Sequence, residues 1–119
     1  MKYQDLPETT IRAAAELLES GAQEDAASAI VSVSLHNSDR AAIETLLLRA
    51  AASTSPLIRG NALVGFGHVA RRFGSLDRQA VEPLICTGLI DPDPYVRGHA
   101  NSAVDDVAQF LGWRPGARG

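Results

Sequence analysis

The sequence predicts an all-α protein: six helices that form three stacked antiparallel hairpins, a short α-solenoid. Three observations carry this expectation. The chain is rich in alanine and only 5% aromatic, a balance that suits closely packed helices better than strands. Apolar residues recur at three- and four-residue spacing in six segments, and no segment shows a two-residue alternation bounded by turn signals. Finally, the chain resembles itself at an offset of 38 residues.

The first helix is expected from a capping box, with Asp5 as N-cap and Glu8 reaching back; Ile11, Ala14, Ala15 and Leu18 share a face, and Ser20-Gly21 ends it. The second runs from about Gln23 to Leu35, with Ala27, Ile30, Val31 and Leu35 inward, and breaks at His36-Asn-Ser-Asp39. The third runs from about Asp39 to Ala52 on Ala42, Ile43, Leu46, Leu47 and Ala50. Ser55-Pro56 starts the fourth, with the proline at a first-turn position where its missing N–H costs nothing. Ile58, Ala62, Gly65, Phe66, Val69 and Phe73 carry that helix to Gly74. The fifth spans about Asp77 to Ile90 on Val81, Leu84, Ile85 and Leu89. Asp93-Pro94 starts the sixth by the same device as Ser55-Pro56; Val96, Ala100, Ala103, Val107 and Leu111 form its face and Gly112 its end. Trp113 is expected to fold back onto this helix, and residues 114–119 to form a frayed tail. The hairpins are thus placed at about 5–36, 39–74 and 77–113 of one domain, 1–119.

The repeat is clearest in the last two hairpins. Asp39-Arg40 meets Asp77-Arg78, and Ala42, Ile43 and Glu44 meet Ala80, Val81 and Glu82. Pro56, Ile58, Arg59, Gly60 and Ala62 meet Pro94, Val96, Arg97, Gly98 and Ala100. The first hairpin matches poorly, as a terminal repeat with a polar outer face would. Asp91-Pro-Asp-Pro-Tyr-Val-Arg-Gly-His-Ala100, followed by Ala103, Val107 and a closing Leu-Gly, resembles a HEAT-like repeat of the short bacterial kind. The likeness is good over roughly 39–113 and loose over 5–36. In that family an Asp at the inter-helix turn commonly pairs with the Arg of the Val-Arg step, which implies a pair between Asp91 and Arg97. The second repeat has Ser53 where the Asp should stand, so Arg59 needs a partner from a neighbouring repeat, and Asp91 is a candidate.

Charge and composition narrow the function. The net charge of −3 argues against a nucleic-acid binder, and Arg71-Arg72 with Arg40, Arg59 and Arg78 is too sparse to reverse that. The paired arginines at a helix end are also what the helix dipole favours. A single cysteine, Cys86, excludes an internal disulfide and suits a small buried hydrophobe better than a nucleophile. The single cysteine fits a reducing compartment, Met1-Lys-Tyr-Gln-Asp5 lacks the apolar core of a signal peptide, and no apolar run reaches the ~20 residues that span a bilayer, so a cytoplasmic protein is expected.

His36, His68 and His99 form no His-Glu pair and no His-x-x-x-His, unlike the iron-binding members of the family; no metal or cofactor is expected, and exposed or capping roles suit them best. Adjacent carboxylates on a helix do not face one another, so Asp105 and Asp106 read as a solvated face rather than an acid/base pair. With Asp91 and Asp93 they concentrate negative charge in the last repeat, where a basic partner would be steered. Gly60, Gly65, Gly67 and Gly98 are costly inside helices. Gly65, in the inward phase, suits a close helix approach; Gly60 and Gly98, in the outward phase, suit either a relaxed first turn or the close approach of a partner.

The expectation is therefore a non-enzymatic module that binds another protein. Its surface would be made by Asn61, Val64, His68, Arg71, His99, Ser102, Asp105 and Asp106, with Asp91, Arg97, Arg59, Pro56 and Pro94 as framework. The resemblance extends to the small stand-alone HEAT-like proteins that serve as bacterial immunity partners of secreted or contact-delivered toxins, so the partner expected is a toxin domain with a basic surface. A housekeeping adaptor and a lyase-like enzyme of the same repeat family are the alternatives.

Overall fold

The computed structural model describes residues 9–115 and contains six α-helices: α1 (Ile11–Ser20), α2 (Gln23–His36), α3 (Arg40–Ala51), α4 (Pro56–Phe73), α5 (Arg78–Leu89) and α6 (Pro94–Leu111). The capping box at Asp5 and Glu8 lies outside the described residues. Within them the cap of α1 is Thr10, whose hydroxyl accepts from the Ala13 amide at 3.0 Å, so the helix begins at Ile11. The other starts follow the expected chemistry. Asp39, Ser55, Asp77 and Asp93 each accept an amide of the first turn, and Pro56 and Pro94 take the first helical position. Gly21, Gly74 and Gly112 end α1, α4 and α6 at positive φ (78°, 62° and 71°), a conformation that suits glycine because it has no Cβ. Pro83 sits inside α5 on an exposed position, where the helix forgoes one backbone bond.

Each odd helix packs on its successor, and α4 lies between α2 and α6, with its most extensive contacts to those two. The described residues form a body of 40 × 30 × 24 Å. Its core is continuous: Ala14, Ile30, Val33, Ile43, Leu47, Ile58, Phe66, Val69, Val81, Ile85, Val96 and Val107 belong to one cluster drawn from all six helices. Phe66, on α4, is the largest side chain fully removed from water. Trp113 closes the end of α6: its amide donates to the Val107 carbonyl at 3.1 Å, its ring is buried, and the Arg78 guanidinium lies 5.4 Å from the ring centre. Pro115 is buried and Arg114 exposed; the rest of the expected tail, 116–119, lies outside the described residues.

Small residues let α4 sit this deeply. A β-carbon at Gly65 would come within 2.6 Å of Leu47 on α3 and Ser34 on α2. One at Gly60 would come within 2.5 Å of the Tyr95 ring on α6. Gly60 is therefore buried beneath a neighbouring helix and not on an outer phase; Gly98, its counterpart 38 residues on, is exposed with nothing near it.

Candidate functional site

The polar framework between the hairpins repeats as the sequence does. Arg40 and Arg78 each reach a glutamate four residues on, Glu44 at 3.2 Å and Glu82 at 3.0 Å. Ser53 Oγ accepts from the Ser55 amide at 3.0 Å, and Asp91 Oδ1 from the Asp93 amide at 2.9 Å. Arg59 Nη1 donates to the Ser53 carbonyl at 3.1 Å, and Arg97 Nη1 to the Asp91 carbonyl at 2.7 Å. In both hairpins an arginine of the second helix thus ties down the main chain of the preceding turn, six residues back.

The implied carboxylate pairing of Asp91 with Arg97 is not what forms. The Asp91 carboxylate accepts from Arg59 of the previous hairpin, Nε to Oδ2 at 3.0 Å and Nη2 to Oδ1 at 3.1 Å, and the Arg97 guanidinium donates to the Asp91 main-chain oxygen. The reason is supply: Ser53 has no carboxylate to give Arg59, whereas Asp91 presents two oxygens towards it. A forked guanidinium–carboxylate pair of this kind is among the stronger polar contacts. The bonds from Arg59 and from the Asp93 amide hold the Asp91 carboxyl below its ordinary pKa. Beside the pair is a hollow of about 40 Å³ lined in part by Leu63, Leu84 and Gly88, with room for a few waters.

Of the eight residues expected on the binding surface, Asn61 stands behind it. It is 1% exposed; its Nδ2 donates to the Ala27 carbonyl of α2 at 3.0 Å and its Oδ1 accepts from the Tyr95 hydroxyl of α6. It bridges three helices. His99 is half-buried, with the Tyr95 ring edge-on to its imidazole at 4.5 Å between centres. Burial lowers the pKa of His99 below the ordinary 6.5.

Further along the same two helices, the structure brings His68, Arg71 and Asp106 together. Arg71 Nη2 donates to His68 Nδ1 at 2.9 Å, which requires a neutral ring with its proton on Nε2. Burial, then the charges of Arg71 and Arg72, depress the His68 pKa to about 4. Asp106 lies against the Gly67 backbone, where a β-carbon would collide with its carboxylate. Burial raises its pKa, Arg71 opposes that, and Asp105 adds to it. Val64 is half-buried here, and Ser102 and Asp105 are exposed on α6, Ser102 Oγ donating to the Gly98 carbonyl at 3.4 Å. The result is a mixed polar surface across the α4–α6 contact, with a neutral imidazole, one arginine and two carboxylates. Among the described residues no group of three His, Cys, Asp or Glu has metal-site geometry. Cys86 is half-buried on α5. No described helix is long and apolar enough to cross a membrane.

Three side chains matter more than their sequence context suggested. Tyr95 joins α6 to α4 through both ring and hydroxyl. Arg72, expected to serve the helix dipole, donates to the Ser34 carbonyl at 2.6 Å and the Asn37 carbonyl at 2.8 Å, clamping the end of α2. Glu44 accepts from the Asp77 amide at 2.7 Å and so ties α3 to the start of α5. The only sequence signal for them was position: Tyr95 follows Pro94 in the first turn, Arg72 lies in a last turn, and Glu44 recurs as Glu82. Comparison with protein-family models, with curated proteins and with solved structures finds no match to this chain. What is established is an all-helical, six-helix domain.

Proposed function

We propose that the three hairpins form a short HEAT-like α-solenoid that acts by binding another protein. In its most specific form the reading is a bacterial immunity protein that neutralises its cognate toxin by direct contact. The observation that supports it is the pair of arginine-to-turn bonds, Arg59 to Ser53 and Arg97 to Asp91, recurring at the same offset as the sequence similarity. Such repetition is how repeat scaffolds are built, and repeat scaffolds present broad surfaces to partners.

The surface proposed for contact is the outer side of α4 and α6, with Val64, His68, Arg71, His99, Ser102, Asp105 and Asp106. Asn61 orders it from beneath. A toxin domain with a basic active-site rim would be steered by Asp105 and Asp106, and covering that rim would block its substrate. A complex of standard size would bury about 1,600 Å² in total. Co-expression with the product of an adjacent toxin-like reading frame tests the proposal: a stable complex and protection of the expressing cells are expected. A stable complex with a non-toxic protein, and no protection, would replace the immunity reading by that of an adaptor.

A further inference from the structure

In the seat that α4 offers to α6, Arg59 takes the carboxylate of Asp91 and Gly60 takes the ring of Tyr95, four residues further on. The same two residue types recur on α6 as Arg97 and Gly98, at the same spacing. Here the seat is open. Gly98 is exposed, and a β-carbon there would meet nothing within 4 Å. Among the described residues the Arg97 guanidinium makes no ion pair within 4 Å; its one hydrogen bond is to the Asp91 main-chain oxygen, which leaves donors of its fork for a carboxylate. Beyond this first turn the two helices differ. Leu63 and Gly67, buried on α4, are matched on α6 by Asn101 and Asp105, both exposed. A whole further hairpin would have to bury those polar groups, whereas a short segment seated at the first turn would not.

We propose that Arg97 and Gly98 form a docking seat for a partner segment carrying a carboxylate and, one helical turn later, an aromatic ring. The carboxylate lies on Arg97 and the ring covers Gly98, as Asp91 and Tyr95 do on Arg59 and Gly60. The occupant is a different protein. A second copy of this chain offers two segments with that spacing, and in each the carboxylate is already packed on its own α4: Asp91, with Tyr95, on Arg59 and Asn61, and Asp106, ahead of the exposed Phe110, against Gly67; the positions corresponding to Asp91 and Tyr95 in the preceding hairpin are Ser53 and Leu57. The seat does not depend on the partner proposed for the acidic surface of α4 and α6, so either proposal can fail without the other.

The probe is a synthetic peptide of this chain's residues 90–103, titrated into the isotope-labelled full-length protein and followed by amide chemical shifts. Saturable shifts centred on Gly98 are expected, lost when Asp91 and Tyr95 of the peptide are both replaced by alanine. Gly98→Leu in the protein fills open space and improves helix propensity, so it should not lower the melting temperature, yet it should weaken peptide binding about tenfold or more. No saturable shift at millimolar peptide, shifts centred elsewhere, or equal binding by the Gly98→Leu protein would overturn the proposal. A concentration-dependent dimer broken by Gly98→Leu would overturn the assignment to a different protein.

Discussion

The carboxylate of Asp91 grips Arg59 through two hydrogen bonds while its own backbone oxygen receives Arg97, so one residue serves two successive hairpins in two chemically distinct ways. Asp91→Asn should cost about 1–3 kcal/mol in chemical denaturation, since it removes a charged, largely buried partner. A double-mutant cycle between Asp91→Asn and Arg59→Ala should show coupling, and one between Asp91→Asn and Arg97→Ala much less, because the Arg97 bond goes to the main chain. Comparable coupling in both cycles would contradict the assignment.

The same carboxylate makes stability sensitive to acid. Its pKa is lowered in the folded state, so the stability it contributes is present above its unfolded value near 3.8 and is lost as pH falls through the lower folded value. The acid limb of a stability–pH curve should flatten in Asp91→Asn.

His68 acts over a higher range, and with the same sign. Its folded pKa of about 4 lies below the ordinary 6.5, so the unfolded chain binds a proton first. The stability from keeping it neutral is complete above pH 6.5 and declines as pH falls towards 4. Asp106, whose pKa is raised, works in the opposite direction: its contribution is present below the ordinary carboxylate range and declines as pH rises through the folded value. An NMR titration should find the His68 ring still neutral at pH 5.5; protonation near 6.5 would contradict its placement beneath Arg71.

Two glycines in equivalent positions should respond oppositely to alanine. Gly60→Ala drives a methyl group into the Tyr95 ring and should cost about 1–3 kcal/mol. Gly98→Ala meets nothing and should stabilise α6 by up to about 1 kcal/mol through helix propensity. Paired thermal melts read both.

Tyr95→Phe keeps the ring over Gly60 and removes the hydroxyl that donates to Asn61 Oδ1. A loss of about 1 kcal/mol is expected, measured by urea denaturation. The unchanged packing should keep Gly60→Ala as harmful in that background as in the parent.

The helices were legible because their boundaries are local chemistry. Ser55-Pro56, Asp93-Pro94, Gly74 and Gly112 announce starts and stops through backbone rules that act within one turn, and the spacing of Ile43, Leu46, Leu47 and Ala50 marks a buried face by itself. What lies between helices was less legible. Phase alone put Asn61 and Gly60 on the outside, because periodicity describes one helix against one core and α4 is enclosed by neighbours on several sides. The Arg59–Asp91 pair was anticipated only as a substitute, since nothing local reveals that a carboxylate will prefer the hairpin behind it. Arg72 could not be distinguished from a helix-dipole residue without knowing that the end of α2 lies beside it.

Co-expression with the product of a neighbouring toxin-like reading frame tests most directly whether this chain works by binding. A stable complex, protection of the cells, and weaker association at higher salt when Asp105 and Asp106 contribute to the interface are expected. A toxin that kills equally with and without this chain, and that elutes separately from it at low salt, would contradict a role in binding it.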